Sequence, residues 1–260
     1  MKLTVLCDNT AGGKCLAEHG LSYLIDYENE SVLFDTGHSD VYLKNAAALG
    51  INLQEQVNAI VLSHGHWDHG NGLQYIYNKT LITHPSACIK RYRKTDNSYI
   101  GLSLSKTNIR QHFQCIETKT PYYLHKQIIY LGEIPRVFAF ESKLTSFMDE
   151  KGADDFVPDD SSLVIIKDDA LIIVVGCAHA GICNIVDYAM KITGIDAIEM
   201  IIGGFHLKKK DKQTLQTIEY LKHINVKKLY PSHCTELPVL SLFYDKFNIK
   251  QVKTGQIMEI

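Results

Sequence analysis

Apolar residues recur with two different periods along the chain, and the switches between them predict its elements. From Ser22 the sequence SYLIDYENESVLFDTG gives two apolar runs around Glu28-Asn29-Glu30, the pattern of a β-hairpin. Ser39 then stands where it can cap a helix over DVYLKNAAAL, with Gly50 as its stop. A wholly apolar strand, AIVLS over 59–63, runs straight into a cluster of histidines. GLQYIYN reads as a short helix, and TLITH over 80–84 as another strand.

The second half repeats this order. SSLVIIKDDALIIVVG is again two apolar runs about a polar turn, Lys167-Asp168-Asp169. CAHAGICNIVDYAMKITG then supplies a helix, and AIEMIIGGFH a buried strand that ends in a histidine. Asp35 lies 29 positions before His64, and Cys177 the same 29 before His206, so the pattern reads as an internal duplication of hairpin, helix and strand. Beyond His206 come a helix (DKQTLQTIEYLKHI), a strand (KKLYPSH), a helix (ELPVLSLFYDKF) and a terminal strand (GQIMEI). Residues 85–160 are polar, weakly periodic and dotted with aromatics, which marks them as an irregular active-site cover or an insertion. No stretch has linker composition, so residues 1–260 are expected to form one α/β domain, its sheets packed face to face with helices outside.

Composition narrows the function by exclusion. Of 260 residues 45% are hydrophobic and 22% charged, the balance of a soluble globular protein. With 27 basic against 29 acidic side chains the net charge is −2, which argues against nucleic acid as a partner. No apolar run approaches the roughly 18 residues of a membrane span, and MKLTVLCDNT lacks the layout of a secretion signal, so no membrane partner is expected. Seven cysteines without a CxxC pair argue against a disulfide framework and for a reducing cytoplasm. The feature left over is 12 histidines, and where they fall.

Ser63-His64-Gly65-His66-Trp67-Asp68-His69-Gly70 puts four metal-capable side chains within six residues, directly after a strand. His64 and His66, two apart on an extended segment, can face one metal, while Asp68 and His69 around the bend can face a second. Imidazole with carboxylate suits zinc, and also iron or manganese, so one or two divalent ions are expected per chain. His206, at the end of its strand in IIGGFHL, is a candidate to donate a proton or bind an oxyanion.

HxHxDH after a strand is the signature of the metallo-β-lactamase fold, and the chain resembles that superfamily along nearly its whole length. The resemblance implies an αββα sandwich of two pseudo-symmetric halves with a metal site at its edge. It implies His64 and His66 on a first metal and Asp68 and His69 on a second, with His233 of LYPSHCT joining the second. Asp35 of LFDTG matches the first superfamily motif, which implies a carboxylate accepting a ligand histidine's free N–H. One departure concerns the first metal. The usual third-motif histidine is missing where PDDSS stands, and the usual bridging aspartate is Cys177. His179 of VVGCAHAG is expected to complete the first site, with Cys177 as the alternative.

The segments LCDNTA, AEHGLSYLI, LFDTGHSD, LSHGHWDHGNGL, GCAHAGICNIV, GGFHL and PSHCT are together similar to the 7,8-dihydropterin-6-methyl-4-(β-D-ribofuranosyl)aminobenzene 5′-phosphate synthase branch. That resemblance implies a phosphorylated small-molecule substrate and a transfer that releases diphosphate. It also brings Asn9, Glu18, His19 and Cys177 to the border of the pocket. In the cover, Tyr92, Arg93, Tyr99 and Arg110 are candidates to stack on or anchor a substrate, and Lys208-Lys209-Lys210 could attract an anion. Asp68 and His206 are the candidate catalytic groups. Two alternatives stay open: a phosphoesterase or other hydrolase of the superfamily, and a non-catalytic metal- or redox-sensing protein, kept in view by Cys177, Cys183 and Cys234.

Overall fold

A computed structural model describes residues 1–260. The chain begins with β1 (Lys2–Cys7), then the hairpin β2 (Ser22–Tyr27) and β3 (Glu30–Phe34). Helices α1 (Val41–Ala48) and α2 (Leu53–Gln56) lead to β4 (Ala59–Val61), the one-turn α3 (Trp67–Gly70) and β5 (Lys79–Thr83). Next come β6 (Arg91–Arg93), α4 (Lys106–His112), β7 (Phe113–Glu117), β8 (Tyr122–His125), β9 (Ile128–Tyr130) and β10 (Phe147–Asp149). The second hairpin, β11 (Ser162–Lys167) and β12 (Ala170–Val175), is followed by α5 (Ile182–Thr193) and β13 (Ile198–Gly204). Then α6 (Lys212–His223), β14 (Lys228–Ser232), α7 (Leu237–Phe247) and β15 (Ile257–Glu259) complete the fold.

Two large sheets result, ordered β15-β1-β2-β3-β4-β5-β7 and β14-β13-β12-β11-β9-β8. In each, an antiparallel hairpin hands over to parallel strands: β3 beside β4 and β5, and β12 beside β13 and β14. This is the duplication written in the sequence, and it makes the molecule an αββα sandwich. Strand alternation sorts the side chains into layers. Val32 and Phe34 of β3, with Ile172 and Val174 of β12, fill the space between the sheets. Leu33 turns outward beneath α1, while Leu171, Ile173 and Val175 turn outward beneath α5 and α6. The β11–β12 turn is tight because Asp168 and Asp169 both take left-handed φ, 50° and 56°, as a two-residue hairpin with matched twist requires. No helix is long and apolar enough to cross a membrane.

Several local expectations shift. Strand β1, which pairs with β2, had no counterpart in the sequence pattern. Helix α5 begins at Ile182, so Cys177 to Gly181 is a turn rather than a first helical turn. The N-cap position of α1 falls on Asp40 rather than Ser39, although the Ser39 hydroxyl, which donates to Glu18 Oε2 at 2.5 Å, accepts the N–H of Val41, the first helical residue. Residues 85–160 hold six short elements, and the rest of the stretch is irregular. β7 extends the first sheet, β8 and β9 extend the second, and only β6 and β10 form a separate two-stranded sheet. The polar character of the stretch reflects edge strands and surface ion pairs such as Arg110 with Glu117, which also removes Arg110 from the pocket.

Candidate metal centre

Four strands of the sandwich end at one edge, and at four positions there the chain turns through left-handed φ: Asp35 (55°), Ala178 (50°), His206 (49°) and His233 (51°). Non-glycine residues in this region carry backbone strain of order 1–3 kcal/mol each, which surrounding structure must hold. Here the holding is done by a buried network around Asp35. Its Oδ1 accepts Ser63 N–H at 2.7 Å, and its Oδ2 accepts the Ser63 hydroxyl at 2.7 Å. The same Oδ2 lies 2.6 Å from His69 Nδ1, which fixes that ring with Nε2 facing the cavity. Ser63 Oγ lies 2.9 Å from His64 Nδ1, so the network orients a second imidazole as well.

The donors converge in overlapping sets. His64 Nε2 and His66 Nδ1 are 3.0 Å apart, and His179 packs edge-on against both rings at centroid distances of 4.8 and 4.9 Å. On the other side, His69 Nε2 lies 3.1 Å from His233 Nε2 and 3.2 Å from Cys177 Sγ. Asp68 Oδ2 lies 3.2 Å from His233 Nε2 and 3.3 Å from His19 Nε2. Three of these sets, His64-His66-His179, His64-His69-Cys177 and His19-Asp68-His233, each bring their ligand atoms within 4.8 Å of one another. A fourth, Cys177-His206-Cys234, adjoins them. His179 thus reaches the pair His64 and His66, whereas Cys177 sits on the His69 side.

A cation fits this arrangement. His66 Nε2 and His179 Nε2 are buried with no hydrogen-bond partner, and so is His206 Nδ1. An orphaned buried nitrogen carries the desolvation cost of a lost hydrogen bond unless something else binds it. Burial, reinforced by neighbouring imidazoles and, for His64 and His66, by Arg91, pushes His64, His66 and His179 well below the usual histidine range, leaving neutral rings with free lone pairs. For Asp68, burial works toward the neutral acid, but His69, His19 and His233 together hold its carboxyl well below the usual range.

Of the residues expected at the pocket border, Asn9, His19 and Cys177 line a cavity of about 530 Å³ together with Asp68, His206 and Arg93. Asn9 also clamps the last histidine: its Nδ2 donates to His233 O at 3.0 Å and its Oδ1 lies 3.1 Å from His233 Nδ1. Glu18 lies outside the cavity. Its Oε1 accepts the N–H groups of His38 and Ser39, each at 3.0 Å, and so shapes the loop after β3. Tyr92 and Tyr99 pack on each other rather than on the cavity.

Three features had no reading in the sequence. Phe147 of β10 stands over the donors, 4.9 Å from the His66 ring and 5.5 Å from His179. Arg91 is fully buried and paired with Asp155 and Asp159. Asp159 Oδ2 in turn accepts Gly65 N–H at 2.7 Å, inside the histidine motif. The stretch PDDSS, which lacks a histidine, therefore carries the carboxylate that braces the motif's backbone. The one hint was a charge cluster in a stretch otherwise bare of pattern.

Comparison with known proteins agrees with this geometry. The family model for the metallo-beta-lactamase superfamily matches residues 17–87. An uncharacterised protein of Methanocaldococcus jannaschii is 33% identical over 99% of the chain and 100% of its own length. A 7,8-dihydropterin-6-methyl-4-(β-D-ribofuranosyl)-aminobenzene-5′-phosphate synthase of the same organism is 31% identical over 100% of the chain and 96% of its own. Among solved structures, a metal-dependent hydrolase of the β-lactamase superfamily superposes with a TM-score of 0.89 at 29% identity, covering 100% of this chain and 99% of that one.

Proposed function

The chain belongs to the metallo-β-lactamase superfamily, and from that we propose that it is a metal-dependent enzyme acting on a phosphorylated small molecule, transferring a group with release of diphosphate. The observation that carries this is the pair of orphaned Nε2 atoms on His66 and His179 beside the 3.1 Å approach of His69 to His233. In this reading residues 1–260 act as one domain, with part of 85–160 covering the site. His64, His66 and His179 hold the first ion, and Asp68, His69 and His233 the second. One or two divalent ions, zinc by the nitrogen-rich donors or else iron or manganese, would supply Lewis acidity at a phosphate or diphosphate oxygen.

The remaining work falls to the chain's own groups. Asp35 keeps His69 in the tautomer that presents Nε2. His206 faces the cavity with an unpartnered Nδ1 and can hold a proton there for a leaving oxygen. Arg93 and Lys208 line the same cavity and place positive charge where phosphate enters. Phe147, Trp67 and Ile100 supply an apolar wall on which an organic acceptor could pack.

Incubation with a dihydropterin methyl diphosphate and an aminobenzene ribotide, read by mass spectrometry, is expected to give the joined product and free diphosphate. The His64→Ala/His66→Ala double variant should lose bound metal and product together. Diphosphate or phosphodiester cleavage without joined product would move the assignment to a hydrolase, the activity named for the 29%-identical solved relative. Full metal content in the double variant would refute the ligand assignment itself.

A further inference from the structure

Beyond Phe147 lies a second pocket of about 340 Å³, which shares Phe147, His179, His206 and Lys208 with the first. Its lining is strongly cationic. Arg136, Lys143, Lys208 and Lys209 face it against a single carboxylate, Asp211. In a protein with net charge −2, four cations to one anion in a single pocket is a marked local excess. None of the four cations has a carboxylate oxygen within the 4.0 Å of an ion pair. Asp211 is engaged elsewhere, its Oδ1 accepting Thr214 N–H at 3.0 Å to cap α6.

Arg136 is held rather than loose. One guanidinium nitrogen donates to His179 O at 3.2 Å, another donates to Phe156 O, and its carbon lies 5.9 Å from the Phe156 ring centroid. The guanidinium is thus anchored by two neutral carbonyls at the exposed rim of the pocket; partial desolvation lowers its pKa, while Asp160, Asp155, Glu133 and Glu141 pull it up. All four cations are exposed and without a contact ion pair, so an anion entering the pocket gains charge-assisted hydrogen bonds without displacing a bound carboxylate. A guanidinium fork with lysines around it matches the several oxygens of phosphate better than a single carboxylate. Arg136 also grips the carbonyl of His179, which ties this pocket to the loop carrying a donor of the metal centre.

We propose that the pocket beyond Phe147 is a second anion site, built for a phosphate group, so that phosphorylated substrate is held at two places on either side of that ring. The proposal rests on the phosphorylated-substrate reading above and deepens it: the substrates must carry a phosphate that does not react as well as the one that does. Phe147 then separates a reacting position at the histidines from an anchoring position at Arg136 and Lys209.

The test is phosphate stoichiometry on the full-length, metal-loaded protein, with inorganic phosphate as the probe in isothermal titration at low and high salt. Two sites per chain are expected. Lys143→Gln/Lys209→Gln, which touches only the second pocket, should weaken one of them by at least about tenfold, with the salt dependence of that site reduced, and leave the other. Treatment with a chelator should do the reverse, abolishing the metal-dependent site and sparing the lysine-dependent one. Unchanged binding by the lysine variant overturns the proposal, as does a wild-type chain whose phosphate binding vanishes entirely on chelation. Both lysines are exposed, so the variant is expected to fold, and its unchanged thermal unfolding verifies this. Binding is measured without turnover, so failure of the transferase assignment would leave this result readable.

Discussion

Two buried carboxyls at the site edge shift in opposite directions, Asp68 downward and Asp160 upward, and Asp160 makes the sharper test. It is almost wholly buried, its Oδ2 accepts Ala180 N–H at 2.8 Å, and its Oδ1 has no partner. Burial pushes it up to about 7, against the pull of Ala180 N–H and of Arg136 and with a push from Asp159. A carboxyl whose pKa is higher folded than unfolded, where it is about 3.8, binds its proton more tightly in the native state. Its presence therefore costs nothing below about pH 4, and the cost grows as pH rises through 7, to at most ~4 kcal/mol. Asp160→Asn keeps an acceptor for Ala180 N–H and removes the titration. The variant is expected to match the wild type in melting temperature near pH 4 and to exceed it by a growing margin up to pH 8. A difference that is constant across that range, or that shrinks with rising pH, would refute the assignment. Nothing in the sequence PDDSS distinguishes Asp160 from Asp159; opposite electrostatic roles follow only from which backbone and which arginine each one meets.

At the scale of elements, the histidine motif keeps its shape because a backbone passes almost through it. A Cβ added at Gly65 would stand 1.6 Å from the Ala87 carbonyl oxygen, a backbone atom that no rotamer change can move. Asp159 and Arg91 fasten the same spot from the other side. Gly65→Ala must therefore push the segment between β4 and α3 away from residues 84–87, and overpacking of this kind costs on the order of 1–3 kcal/mol or more. We expect metal content to fall together with melting temperature, measured by elemental analysis and calorimetry on the same preparation. Full metal loading at wild-type stability would show that the loop has freedom these contacts deny it. The elements best legible in the sequence were those with strong period or stop signals: both hairpins, α1, β4, α6 and α7. Those misread were set by distant partners. β1 is recognisable only by its pairing with β2 and β15, and α5 starts late because Glu141, from the preceding segment, binds the N–H groups of Cys183 and Asn184. The donors were legible because each follows a strand end; Phe147 and Arg91 were not, since their importance comes from β6 and β10 folding back over the edge.

Taken as a whole molecule, the donors are divided between the two halves that the duplication creates. His64, His66, Asp68 and His69 leave the first sheet, whereas His179 and His233 leave the second, so any ion held by both sets joins the sheets at their shared edge. Across the rest of the interface the sheets are joined by non-directional apolar packing of side chains such as Phe34, Ile172 and Met200. Without a cation, the edge instead presents ring nitrogens 3.0–3.1 Å apart, orphaned Nε2 atoms and four strained turns, all of which weaken the native state locally. A ligand that binds only the folded chain stabilises it by about 4 kcal/mol at a thousandfold excess over its dissociation constant. For a chain of this size that corresponds to roughly 8–16 °C in melting temperature. Chelation is therefore expected to lower the melting temperature by about 10 °C, and one or two equivalents of zinc or manganese to restore it. His179→Ala, which removes the second half's contribution to the first ion, should lose much of the metal-dependent shift, while Cys177→Ser should lose less if His179 completes that site. Equal melting temperatures with and without metal would mean that the ion does not join the halves, and a larger loss in Cys177→Ser than in His179→Ala would exchange their assignments.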